Sequence, residues 1–376
     1  MIITSDKNEQ VTKLKDEIKE KVTKKEKSEK EVNLTLVGDF LFESPFYKSV
    51  DNGYDMYNYF SLVKEKFLND DITIGNMEVV IGNDELQVSG DEYNFCAPRY
   101  IGDLVSSLDF QVLGTANNHT FDRGEAGIKS TLEYFNNTNI LTVGTYLDDT
   151  DRANPRILEK NGIKFGFLAY TYGTNSHVPD NLKNMIGLYK NDDEHKEAIK
   201  KDVDLLKENV DVIIVMMHWG TEFTFTPNNE QKEMANFLNS IGVDIVYGSH
   251  SHSIQPIEMI GDEHKTLVYY SLGNFVSNDD DIARTPKGQE TFDNAYQIGL
   301  LSTLKVKATN DERIELTDIK TEAIVNYFDI NMNNWLLIPF DDYIQKYERN
   351  HFRYNLGLNK DFIKYTYEDV IAEEYR

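Results

Sequence analysis

The stretch FQVLGTANNHTFDRG, Phe110 to Gly124, changes character at its midpoint. FQVLG (110–114) is a short apolar run that reads as a buried strand. Asn117, Asn118, His119 and Asp122 follow at once, and the apolar spacing over 125–138 then predicts a helix. A strand that runs into amides, an imidazole and a carboxylate before a helix is the kind of junction where α/β sheets gather their sites.

The same event recurs along the chain. VNLTLVGD (32–39) is an apolar run that stops at Asp39, and DITIGNMEVVI (71–81) is interrupted by Asn76 and Glu78. DVIIVMMHWG (211–220) ends in His218, and DIVYGSHSH (244–252) ends in His250 and His252. Helical spacing over roughly 192–209 and 229–241 separates the later runs. Asn161-Gly162 and Gly261 mark two hairpins. Strands that alternate with helices and then give way to hairpins predict an α/β fold of two packed mixed sheets flanked by helices. Residues 277–294 read as a mobile loop. Trp335, Leu336, Leu337 and Phe340 require the aromatic-rich tail to pack on the body.

Composition narrows the function. With 376 residues and 40% hydrophobic content the chain can bury a large core. Its net charge of −25 argues against nucleic acid as a partner, and would repel any polyanion unless bound cations neutralise the site. The single cysteine, Cys96, excludes an internal disulfide and reads as a small buried hydrophobe. Residues 1–31 hold nine lysines and eight acids behind a thin apolar stripe, which predicts a solvated stalk.

Five strand ends rich in ligand-type residues exceed what turn chemistry needs, because Asn and Asp suit turns whereas His and Glu have no special need to be there. Oxygen and imidazole donors without thiolate suit Mn, Zn, Fe or Mg. His250 and His252, at i and i+2 of what reads as an extended segment, are placed to address two adjacent ions. Neither a Walker loop nor a Gly-x-Ser-x-Gly elbow is present, so ATP-driven and acyl-transfer chemistry are not indicated.

LVGD (36–39), GNME (75–78), ANNHTFDRGEAG (116–127), HWGTEF (218–223), GSHSHSIQPIE (248–258) and YSLGNFV (270–276) together resemble the poly-γ-glutamate capsule biosynthesis proteins of the CapA type. That family is itself similar to the calcineurin-like metallophosphoesterases, which implies a four-layer α/β/β/α domain over about 32–300, with strands and tail from 301 to 376 packed on it. The resemblance implies two divalent ions held by Asp39, Glu78, Asn118, His218, His250 and His252. His119 would face the substrate as acid or charge stabiliser, oriented by Asp122, whose alternative role is to cap the following helix. Asn76, Trp219, Glu222 and Asn274 would line the site.

The phosphoesterase pattern opens with Asp-x-His, but Phe40 and Leu41 follow Asp39 here, so one imidazole is absent. Either Glu78 replaces that donor or one metal position is weak. The function implied is assembly or export of poly-γ-glutamate, or another anionic polymer, at the outer face of a bacterial membrane. Other membrane subunits would be partners, and an anchor would precede this chain. The alternatives are a binuclear metallohydrolase acting on a phosphoester or amide, and a non-catalytic polymer-binding scaffold.

Overall fold

The computed structural model describes residues 30–91, 94–278, 290–309 and 313–376. The expected stalk lies outside the described residues apart from Lys30 and Glu31, which open the strand Lys30–Leu41.

Two large sheets face each other. The first has eight strands, running Trp335–Pro339, Ile314–Phe328, Ile298–Ala308, Lys30–Leu41, Ile72–Met77, Val112–Gly114 and Leu141–Val143, with Asn274–Ser277 also paired to Lys30–Leu41. The second has six, in the order Ile257–Ile260, Thr266–Tyr269, Ile245–Ser249, Val212–His218, Ile163–Thr171 and Arg156–Lys160. The boundary drawn from sequence at 300/301 falls inside Ile298–Ala308, which pairs antiparallel along Lys30–Leu41.

Period-two alternation assigns the layers. In Val212–His218, Val212, Ile214 and Met216 enter the core between the sheets, whereas Ile213, Val215 and Met217 face outward. There they meet Val203 and Leu206 of the helix Asp193–Lys207 and Met234 and Leu238 of the helix Asn229–Ser240. Val32, Leu34 and Leu36 likewise face the shared core. Val37 and Phe40 face the other way, toward Ile101 and Leu104 of the helix Arg99–Ser106 and Phe135 of Gly124–Phe135. Helices therefore cover both outer faces, and the fold is the four-layer α/β/β/α arrangement.

Both hairpins form. Asn161 and Gly162 carry positive φ angles of 51° and 77° in the turn joining Arg156–Lys160 to Ile163–Thr171. The tail also packs, with Trp335 fully buried and its indole N–H donated to Ser49 Oγ at 2.8 Å. The reading of 277–294 as one loop is corrected in part: Glu290–Tyr296 is helical, and 279–289 lie outside the described residues. No helix among the described residues is long and apolar enough to cross a membrane.

The central strands of each sheet run parallel, so their C-terminal ends share an edge. Register then lines up Asn274, Asp39, Asn76 and Gly114 across the first sheet, and Thr171, His218 and Ser249 across the second. Gly38 makes the first row possible. A Cβ there would lie 1.8 Å from Gly273 O, which accepts the Asp39 N–H at 3.0 Å.

Candidate metal centre

Asp39, Glu78, Asn118, His218, His250 and His252 are buried and converge where the two rows meet. Asp39, Glu78 and His218 offer three donor atoms within 4.8 Å of one another, and so do Glu78, His250 and His252. Glu78 belongs to both groups. Asn118 Oδ1 stands 2.9 Å from His218 Nε2, on the side of the ring that also faces Glu78 Oε1 at 3.3 Å.

Neighbouring groups decide which nitrogen faces inward. Asn274 Nδ2 donates to the Tyr296 carbonyl at 3.0 Å, which turns its Oδ1 toward His252 Nδ1 at 2.9 Å. Nδ1 of His252 therefore donates to Asn274, and Nε2 is the nitrogen turned toward Glu78 Oε1, 3.7 Å away. His218 is held from behind through Nδ1 by Ser249 Oγ at 2.9 Å. Asp39 accepts from Asn76 Nδ2 at 2.8 Å and from the His250 backbone N–H at 3.0 Å.

The electrostatics are costly without a cation. Burial first, and the neighbouring Glu78 second, push the Asp39 carboxyl well above its usual range. Burial also raises Glu78. His218 and His250 are driven well below the ordinary imidazole value, by burial and then by other histidines. Burial works against charge on His252 as well, but Glu78 and Asp39 outweigh it and raise its pKa. Both Glu78 oxygens and His250 Nδ1 are buried without a hydrogen bond from any described residue. Two buried carboxylates among imidazoles with unbonded donor atoms form a donor set that fits divalent cations. His250 and His252 also adopt positive φ angles of 91° and 50°, a backbone cost of about 1–3 kcal/mol each that the surrounding packing sustains.

That geometry corrects one expectation. The strand ends at Ser249, so His250 and His252 do not lie on an extended segment; with a left-handed backbone at both, the two rings still converge on Glu78. Glu78 is the residue shared between the two groups.

His119 Nδ1 lies 2.8 Å from Asp122 Oδ2, which also accepts the Phe95 N–H at 2.7 Å. Asp122 does not cap the next helix: that helix starts at Gly124 behind Arg123 and has no side-chain cap. Phe95 packs edge-on to the His119 ring at 4.5 Å. Asn117 holds the turn, accepting the His119 N–H at 3.1 Å and donating to Met77 O at 2.8 Å.

Trp219 is a correction. One residue beyond His218 the side chain points to the opposite face, where the indole is buried against Tyr270 and the helix-covered core. Asn76 and Asn274 stand behind Asp39 and His252 and do not face outward. Glu222 is exposed, and its charge acts on both His252 and Tyr172. Sequence reading missed Ser249, Tyr172 and Asn175. The Tyr172 ring lies 4.8 Å from His250, and Asn175 Nδ2 lies 3.4 Å from His119 Nε2. The signal was present: TYGTN (171–175) is a sixth apolar strand ending in polar residues.

The family described as bacterial capsule synthesis protein PGA_cap matches residues 33–279. A PGA biosynthesis protein CapA of Bacillus subtilis is 32% identical over 174 residues, 46% of this chain and 44% of that protein. A capsule biosynthesis protein CapA of Bacillus anthracis is 28% identical over 255 residues, 67% of this chain and 61% of that one. This chain therefore spans less than two thirds of either relative. Among solved structures, a putative 5'-nucleotidase from Staphylococcus aureus aligns over 77% of this chain and 54% of its own, at 15% identity and a TM-score of 0.46. The NAD nucleotidase of Haemophilus influenzae aligns over 92% and 57%, at 11% identity and 0.43.

Proposed function

Because the chain belongs to the bacterial capsule synthesis protein family, we propose that it serves in building or exporting a poly-γ-glutamate capsule and handles the anionic polymer at a divalent-metal centre. The observation that carries this reading is Glu78, a fully buried carboxylate shared by two donor groups, with neither oxygen hydrogen-bonded to a described residue. Asp39, His218, His250 and His252 would hold the ions together with Glu78, and Asn118 would complete the set. The bound ions would supply positive charge that attracts carboxylate or amide oxygens and polarises a carbonyl.

The remaining work falls to the chain itself. A protein of net charge −25 repels a polycarboxylate at long range, so cations at this point would offset that repulsion where polymer and protein meet. His119, with Nδ1 tied to Asp122, keeps Nε2 as the atom that faces a ligand. That pairing also favours a second reading, in which His119 shuttles a proton during hydrolysis of an amide or phosphoester. We place the protein at the outer surface of the cell membrane, beside the other subunits of a capsule machine.

The test measures metal content of the purified protein. Binding of poly-γ-glutamate is then followed by calorimetry with and without chelator, and turnover of a generic phosphodiester with Mn. Bound metal and chelator-sensitive polymer binding are expected. A protein that takes up no Mn or Zn, and binds polymer equally well in chelator, would overturn the metal-centred reading and leave a scaffold.

A further inference from the structure

The strand Ile163–Thr171 leads into a short loop that runs beside the site. Tyr172 lies over His250, and three residues later the Asn175 amide reaches His119, so one loop spans from the donor set to the substrate-facing imidazole. The loop is held firmly. Asn175 N–H donates to Asn118 O at 2.7 Å, Thr171 N–H to Gly187 O at 2.8 Å, and the Thr171 hydroxyl to Gly173 O at 2.9 Å. Its outward groups are nonetheless uncommitted. Tyr172 is 41% exposed, Asn175 is exposed, and Asn175 Oδ1 accepts nothing from any described residue.

Gly173 lies between them. Its φ is outside the left-handed region, and a Cβ there would meet no heavy atom within 4 Å. Neither backbone conformation nor packing calls for glycine, so the open strip between Tyr172 and Asn175 is the feature that the missing side chain preserves.

We propose that Tyr172, Gly173 and Asn175 form the contact strip that recognises the amide backbone of a γ-linked polycarboxylate. This rests on the polymer reading above and adds the basis of selectivity. The groups fit an amide and not a row of charges. Asn175 can donate to and accept from a peptide group, and the Tyr172 ring offers a flat face to methylenes and amide planes. Glu222, whose charge acts on Tyr172, repels carboxylates placed there. A bound polymer therefore turns its backbone to the strip and its carboxylates to the metal centre or to solvent.

The experiment compares poly-γ-glutamate with polyacrylate, a polycarboxylate without amides, on the metal-loaded full chain. Wild type is expected to prefer poly-γ-glutamate at least tenfold. Tyr172→Ala, Asn175→Ala and Gly173→Leu should each lose most of that preference through weaker poly-γ-glutamate binding, with metal content and melting temperature unchanged. Gly173→Ala serves as a folding control. Glu222→Gln should raise polyacrylate binding. If wild type binds no poly-γ-glutamate, the functional reading falls and this inference with it. If wild type binds with preference and the three variants keep it, only the contact strip is overturned.

Discussion

Glu78→Gln should make the metal-free protein more stable and at the same time abolish stabilisation by metal. Glu78 is completely buried beside a second buried carboxylate, Asp39, and both of its oxygens lack hydrogen bonds from described residues. A buried polar group left without a partner costs about 1–3 kcal/mol. Glutamine keeps the shape, removes the charge and brings an amide that can donate to Asp39. At about 2 °C per kcal/mol for a domain of a few hundred residues, the variant should melt roughly 2–6 °C higher in chelator. Metal acts in the opposite sense. A ligand at a hundredfold excess over its dissociation constant adds about 2.7 kcal/mol, or roughly 5 °C, to wild type. Glutamine cannot replace the carboxylate shared by both groups, so the variant should gain nothing. Thermal denaturation of both proteins at pH 8, with chelator and with excess Mn or Zn, reads all four values. A variant that melts below wild type in chelator, or gains as much from metal as wild type does, refutes the argument that Glu78 is a cation ligand held at a cost.

Other outcomes follow from the same geometry. His119→Ala should abolish polymer handling with metal content intact, whereas His250→Ala should lose metal as well; loss of metal in the His119 variant would place that residue among the ligands. Asn274→Ala frees the His252 ring from the hydrogen bond that orients it, and should weaken metal affinity about 10–100-fold without unfolding, read by competition with a chromophoric chelator. His351 accepts the Arg353 N–H through Nδ1 and donates from Nε2 to Asn326 O, and burial lowers its pKa to about 4. Between pH 6.5 and about 4 the unfolded chain takes up a proton that folded His351 refuses. Its contribution, of order 3 kcal/mol, is therefore complete above pH 6.5 and lost as pH falls toward 4. His351→Phe should be less stable at pH 7 yet flatten that part of the profile in urea titrations, and an unchanged slope would count against the assignment.

Much of this protein was legible before any fold was known, because strand alternation and turn chemistry are local. Val212 to His218 announces a strand buried on both faces, Asn161-Gly162 announces a tight turn, and ligand-type residues after apolar runs mark where strands leave the core. What could not be read is which strand ends meet. Asn274 reaches His252 only because its strand slides beside Asp39, through a contact between Gly38 and Gly273 some 235 residues apart in sequence. Trp219 looked like part of the site wall, but its place next to His218 puts it on the opposite face of the sheet. His250 and His252 read as extended, yet tertiary packing holds both in left-handed conformations that local preference disfavours. The amino-acid order determined which residues end each strand; the packing of one sheet against the other decided which ends share a site, because distances between sheets are set by the whole core and not by neighbours in the chain.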